Sequence, residues 1–188
     1  MSIRIVVVDD HPIVRSGLAS LFEGSEIEIV GEASDGLHAV DVVTLHQPDV
    51  VVLDIRMPEC DGIQALTHVR DAFPEIPVVM LSTYDNPTYV ARAVALGAND
   101  YVLKGSPRER VISAIVDAAA GRTPPADSIM QQVRTAMAKR YDADNYDTPL
   151  TNREMQVLRH LALGLSIKEV ATSFGVSVET VKDHVQNT

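Results

Sequence analysis

A second cysteine is missing from this chain: Cys60 is the only one in 188 residues. No internal disulfide can therefore form, and one thiol without a matched set of histidines makes no zinc site. Cys60 is read as chemically inert. No apolar run approaches the ~20 residues that a membrane-spanning helix requires. The amino terminus also lacks the basic start and small-residue cleavage site of a secretory signal, since it enters an apolar run at Ile3–Val8 and then meets Asp9 and Asp10. These absences predict cytoplasmic residence and no membrane partner.

Positive charge is scarce, and unevenly so. Residues 1–121 carry 8 Lys and Arg against 18 Asp and Glu, whereas 122–147 balance 4 against 4 and 148–188 balance 4 against 4. All of the net charge of −10 therefore lies in the first two-thirds of the chain. An apolar fraction of 46% is enough to bury a core.

Across the first 121 residues, short β-branched runs alternate with amphipathic stretches. That alternation predicts a doubly wound α/β fold, a five-stranded parallel sheet with helices on both faces. Strands are expected at 3–8, 27–31, 50–53, 78–81 and 101–103, and helices at 12–23, 36–46, 62–72, 87–96 and 107–120. Ser34, Asp61, Asn86 and Ser106 are the candidate helix caps, with Pro107 in the favoured first helical position.

Gly121, Pro124 and Pro125 then end the last of these helices. A further helix is expected at 127–141, where Ile129, Val133, Met137 and Tyr141 recur at spacings of four and form one apolar stripe. From Leu150 onward the pattern is wholly helical. Thr151 with Glu154, and Ser166 with Glu169, read as capping boxes; Gly164 and Gly175 stand where helices end, and Ser177 caps a last helix. Helix, tight turn, helix is the order of a helix-turn-helix, so a second, smaller all-α domain is expected. The division predicted is 1–121, a linker at 122–147 and 148–188.

In an open parallel sheet, ligands gather at the carboxyl ends of the strands near the reversal of strand order. Asp9 and Asp10 follow the first expected strand, Asp54 the third, Ser82 the fourth and Lys104 the fifth. Crowded carboxylates repel: two unit charges ~4 Å apart cost about 4 kcal/mol at an effective dielectric near 20. A divalent cation relieves that cost, and an all-oxygen ligand set favours Mg2+. With the ion in place, Asp54 can act as nucleophile toward a phosphoryl group, and Lys104 can offset the charge on its oxygens. The same residue types serve metal-dependent phosphatases that form an aspartyl phosphate. Their nucleophile normally follows the first strand as D-x-D, however, and here Asp9 and Asp10 are adjacent, with nothing resembling a cap domain.

The motifs V-V-V-D-D-H-P at 6–12, L-D-I-R-M-P at 53–58, D-G at 61–62, L-S at 81–82 and Y-V-L-K at 101–104 closely resemble the receiver domains of two-component response regulators. The resemblance implies a flavodoxin-like fold and phosphoryl transfer to Asp54 from a sensor histidine kinase. It implies Mg2+ held by Asp9, Asp10, Asp54 and the backbone carbonyl of Arg56, with Asp10 the more direct of the first two. His11 is a common neighbour in this family and is not expected to be a ligand. Ser82 is expected to move to the phosphoryl group while Tyr101 swings inward, a two-state switch.

The segment 150–188 resembles the LuxR-type helix-turn-helix of the NarL/FixJ subgroup, through L-T-N-R-E at 150–154, G-L-S-I-K-E-V-A at 164–171 and V-S-V-E-T-V-K-D-H-V at 176–185. This implies a transcriptional regulator that binds double-stranded DNA and dimerises when phosphorylated. Its only enzymatic acts would be self-phosphorylation from a phosphodonor and autodephosphorylation. Val170, Ala171, Val176, Val178 and Val181 are expected to fill the core of that domain. Thr180, Lys182, Asp183 and Gln186 are expected on the exposed face of the recognition helix, Lys182 as the leading DNA contact. Relatives normally carry a further helix beyond the recognition helix, so the domain is expected to be incomplete.

Overall fold

A computed structural model of the chain describes residues 2–83, 85–143, 167, 171 and 176–186, with the side chains of 139–143 and 183–186 left aside. Contacts divide the chain into two compact units, Met1–Asp142 and Ala143–Thr188.

The first unit is built from β1 (Ile3–Val8), α1 (Pro12–Phe22), β2 (Ile27–Ala33), α2 (Ala39–His46), β3 (Val50–Asp54), α3 (Gly62–Ala72), β4 (Val78–Ser82), α4 (Pro87–Ala95), β5 (Asp100–Leu103), α5 (Arg108–Ala119) and α6 (Ile129–Ala143). The five strands form one parallel sheet in the order β2-β1-β3-β4-β5. Because successive side chains point to opposite faces of a strand, each β-branched run feeds two cores. Val6, Val8, Val51, Leu53, Val78, Met80 and Tyr101 pack on the face that holds α2, α3 and α4. Ile5, Val7, Val50, Val52, Val79, Leu81 and Val102 pack with α1 and α5. The order reverses between β1 and β3, so the carboxyl ends of those two strands mark the crevice where polar groups collect.

Local chemistry explains the helix starts. The Asp61 carboxylate accepts from the Gln64 amide at 2.9 Å and caps α3, and the Asn86 side chain accepts from Thr88 at 2.9 Å and caps α4. Two expected starts are corrected. Helix α2 begins at Ala39 rather than Gly36, and Ser34 does not cap it. Asp35 Oδ1 instead accepts from the amides of Leu37 and His38, both at 3.0 Å, which folds 35–38 into a local turn outside the helix. Helix α5 begins at Arg108 with Pro107 in the cap position, so neither Ser106 nor a Pro107 first turn starts it.

The opposite rim of the sheet is tied by one guanidinium. Arg70 at the end of α3 donates to the carbonyls of Pro74, Ile76 and Gly97 and to Asn99 Oδ1, which also accepts from the Val78 amide at 2.9 Å.

The linker helix departs from its expected pattern. Ser128 Oγ accepts from the Gln131 amide at 3.1 Å and caps α6. Met130, not part of the stripe of four, is 0% exposed and belongs to the core shared with α3 and α4, while Ile129 and Val133 pack around it and Met137 is exposed. Tyr141 lies among the side chains outside the described residues. Emptying a site this enclosed leaves a cavity, so Met130→Ala is expected to destabilise the first unit by about 2–5 kcal/mol. Chemical denaturation is the measurement; a change within the error of the midpoint would contradict the burial.

In the second unit, α7 (Val178–Gln186) is capped by Ser177, whose Oγ accepts from the Thr180 amide at 3.1 Å. Buried Ala171 and Val181 form a small core with Ile167, Val176 and Val178 around them. The expected capping boxes, Gly164, Gly175 and Val170 lie outside the described residues. Among the described residues, no helix is long and apolar enough to cross a membrane.

Candidate phosphoacceptor and metal site

Three strands deliver the site. β1 ends at Val8, so the turn that follows it carries Asp9 and Asp10. β3 ends on Asp54 itself, and Lys104 follows β5 directly. Parallel strands end on the same side of a sheet, which is why residues nearly a hundred positions apart in sequence converge.

The convergence is tight. Lys104 Nζ lies 2.6 Å from Asp9 Oδ2 and 3.1 Å from Asp54 Oδ1. Asp9 and Asp54 are both buried, and Asp10 is partly exposed beside them. The Lys104 amide donates to the Ser82 carbonyl at 2.7 Å, fixing the loop that aims the ammonium. Asp9 is held from both sides: its Oδ1 accepts from the His11 amide at 2.9 Å, and its carbonyl accepts from Arg15 Nη1 at 2.7 Å.

Electrostatics follow from this crowding. Burial raises the Asp54 pKa above its usual 3.8; Lys104 opposes the shift and Asp9 adds to it. Burial also works against the charge on Lys104, but Asp9 and Asp54 outweigh it and raise that pKa above 10.5.

The raised Asp54 value carries a sign for stability. The folded chain holds this proton to higher pH than the unfolded chain does, so the favourable contribution is complete below about 3.8 and is lost as pH rises through the folded value. At neutral pH the charged group therefore opposes folding. With divalent ions chelated, Asp54→Asn is expected to raise the thermal midpoint at neutral pH, by an increment that vanishes as pH falls toward the ordinary carboxylate range. A midpoint lowered at neutral pH would contradict the direction.

The residues present fit a hard divalent cation. Donor atoms of Asp9, Asp10, His11 and Asp54 all lie within 4.8 Å of one another. Asp9 Oδ2 and Asp10 Oδ1 are buried, each with one nitrogen beside it, Lys104 Nζ at 2.6 Å and His11 Nδ1 at 2.6 Å. Three crowded carboxylates around one ammonium leave negative charge that a divalent cation would offset.

Beside this cluster a cavity of about 380 Å3 opens among Ile55, Arg56, Ser82, Asp85, Asn86 and Tyr89. Arg56 stands on the loop just past Asp54, with an exposed side chain. Ser82 ends β4, and Tyr101 on β5 is turned inward, 1% exposed. Burial raises the Tyr101 pKa, while a side-chain hydrogen bond with Ser82 works against that rise. Four of the expected pocket residues, Asp9, Asp10, Asp54 and Lys104, are thus brought into one cluster, with Ser82 and Tyr101 joined to each other next to it. The close approach of the His11 ring was not anticipated from sequence; its only signal was adjacency to Asp9 and Asp10.

On α7, Val181 faces inward while Thr180 and Lys182 are exposed. The Thr180 hydroxyl shares a hydrogen bond of 2.9 Å with Ser177, and Lys182 Nζ lies 3.6 Å from Glu179. Side chains of Asp183 and Gln186 lie outside the described residues.

Comparison with known proteins gives two family matches. Residues 5–116 match the response regulator receiver domain, and residues 148–188 match the bacterial regulatory proteins of the luxR family. The probable transcriptional regulatory protein NarL of Mycobacterium tuberculosis is 37% identical over 185 residues, which are 98% of this chain and 85% of that protein. The response regulator protein VraR of Staphylococcus aureus is 34% identical over 188 residues, 100% of this chain and 88% of that one. Among solved structures, the response regulator ChrA of a heme-sensing two-component system is similar at a TM-score of 0.58 and 36% identity, covering 99% of this chain and 88% of its own.

Proposed function

Because the chain belongs to the response regulators of transcription that join a receiver to a LuxR-type DNA-binding domain, we propose that it is switched by phosphorylation of Asp54. The observation that carries this reading is the Lys104 ammonium set between Asp9 and Asp54 at the carboxyl ends of three strands. In the proposed transfer, an Asp54 carboxylate oxygen forms a bond to phosphorus as the bond from phosphorus to a sensor histidine kinase's imidazole nitrogen breaks. The electron pair of that bond goes to the departing imidazole, which can then take a proton from water.

Each residue has a part in this reading. Asp9, Asp10, Asp54 and the Arg56 carbonyl would hold Mg2+, which when bound supplies positive charge to the phosphoryl oxygens. Lys104 offsets the charge that the new phosphate adds, about −1.5 to −2 at neutral pH. Ser82 gives up its hydrogen bond with Tyr101 to reach the phosphoryl group, so the Tyr101 ring is the group that senses the change. Carrying a 1:99 population to 99:1 requires about 5.5 kcal/mol of differential interaction, and no other cationic side chain approaches Asp54 among the described residues as Lys104 does.

The output follows from the second domain. We take 1–121 as receiver, 122–147 as linker and 148–188 as the DNA-binding part, acting in the cytoplasm. Phosphorylated copies pair, and α7 enters the major groove of double-stranded DNA with Lys182, Thr180, Asp183 and Gln186 toward the duplex. Exposure of Lys182 and Thr180 supports that orientation. To test the proposal, the chain is incubated with a small phosphodonor and Mg2+, then followed by intact mass and by DNA affinity across salt concentrations. A mass gain of one phosphoryl group with tightened DNA binding supports it; a chain that gains no mass refutes it.

A further inference from the structure

We propose that Arg15, braced by Glu32, is a positioning residue for the cation site: its guanidinium fixes the peptide that joins Asp9 to Asp10, and so the direction in which the Asp10 carboxylate leaves the backbone. The inference rests on the metal reading above and adds to it a residue that would touch neither the ion nor the phosphoryl group.

The local backbone brings the guanidinium there. His11 precedes Pro12, and a residue before proline is pushed into extended conformation; its φ of −93° and ψ of 110° agree, and α1 starts at Pro12. Arg15 lies in the first turn of that helix, its amide donating to the His11 carbonyl at 3.2 Å. Side chains on a helix lean toward its amino end, so a long one at this position reaches back over the turn that carries Asp9 and Asp10. There Nη1 donates to the Asp9 carbonyl at 2.7 Å, and Nε donates to Glu32 Oε2 at 2.7 Å. Glu32 stands on β2 beside Ala33, whose carbonyl accepts from the Asp9 amide at 3.1 Å. The end of β2 therefore holds both peptides of Asp9, the preceding one directly and the following one through Arg15.

This is more than an ion pair in solvent. The Arg15 side chain is 17% exposed and Glu32 45%, so the guanidinium is largely covered and Glu32 braces it from the rim. Positive charge is not what Arg15 gives the ion, because a cation beside three carboxylates weakens their attraction for another. What the planar fork supplies is direction, two N–H groups aimed at two acceptors at once. Asp9 keeps further anchors in the His11 amide and Lys104. Loss of the fork therefore falls on Asp10, whose side-chain direction follows from the peptide plane before it.

The full chain is compared with Arg15→Met, which keeps the covered stem, and with Arg15→Lys, which keeps the charge. All are assayed at a temperature where circular dichroism shows them folded. Mg2+ affinity is measured by titration calorimetry without phosphodonor, and the phosphorylation rate is followed against Mg2+ concentration. Both variants are expected to bind Mg2+ about tenfold more weakly, the lower end of what losing an outer partner of a metal ligand costs. Both should recover the wild-type rate at saturating Mg2+, because Asp54 and Lys104 are carried by β3 and the end of β5. A merely structural role would lower the thermal midpoint and leave Mg2+ affinity unchanged. Unchanged or tighter Mg2+ binding by Arg15→Met overturns the proposal and leaves the carboxylate site standing. Wild-type binding by Arg15→Lys also overturns it, since one donor without the brace would then suffice. If the wild-type chain binds no Mg2+, the metal reading itself fails and this proposal with it.

Discussion

Asp54→Ala is expected to abolish stable phosphoryl uptake altogether, leaving the intact mass unchanged after incubation with phosphodonor and Mg2+. The substitution deletes the attacking oxygen, and no neighbour can replace it. Asp9 is buried with one oxygen tied to the His11 amide and the other against Lys104, and Asp10 points toward His11. The loss should not come from unfolding, because the Asp54 carboxylate is a buried charge whose pKa is already pushed up. A variant with an equal or higher thermal midpoint and no mass gain is the expected combination. Mass gain equal to wild type would move the acceptor elsewhere and remove the basis of the switch.

Gly62→Ala is expected to injure the same chemistry without touching a charged group. A methyl built on Gly62 would stand 1.9 Å from the Asp54 carbonyl oxygen and 2.8 Å from both the Asp54 carbonyl carbon and Ile55 Cα. All three are backbone atoms, so relief requires the end of β3 to shift away from the start of α3. The Gly62 amide also donates to the Ile55 carbonyl at 2.8 Å, which locks the two elements at this contact. Overpacking of this kind costs about 1–3 kcal/mol and sometimes more. A displacement near 1 Å at a reacting atom can cost about a hundredfold in rate. The phosphorylation rate of Gly62→Ala should therefore fall by about that factor, with a lowered thermal midpoint. Gly17→Ala is the control, since nothing lies within 4 Å of the added methyl there. Wild-type phosphorylation by Gly62→Ala would show that β3 and α3 can separate freely.

The sheet was legible because burial on both faces demands it: the Val50–Leu53 run is continuously apolar, as a strand covered on both faces of a parallel sheet requires. Asp9, Asp54 and Lys104 were legible for the related reason that each sits just where an apolar run stops. What was hidden depended on side chains bonding across local segments. The carboxylate of Asp35 can hold a turn or open a helix, and nothing in the residues 34–39 decides between them. Periodicity in the linker identified an apolar stripe but not which residue would meet another body, so Met130 was passed over in favour of Met137. The grip of Arg70 on the carbonyls of Pro74, Ile76 and Gly97 leaves no trace in sequence, because a carbonyl acceptor has no residue identity. The direction of the His11 ring is likewise a property of its backbone angles and its proline neighbour.

The enclosure of Met130 also decides where this protein can be spliced. The receiver match stops at residue 116, and a designer exchanging output modules between relatives would naturally place the junction there or at Gly121. Either choice strips a plug from the α3 and α4 side and replaces it with foreign sequence. Hybrids joined after residue 142 keep the plug, and they are the ones in which a transplanted module would inherit an intact sensor.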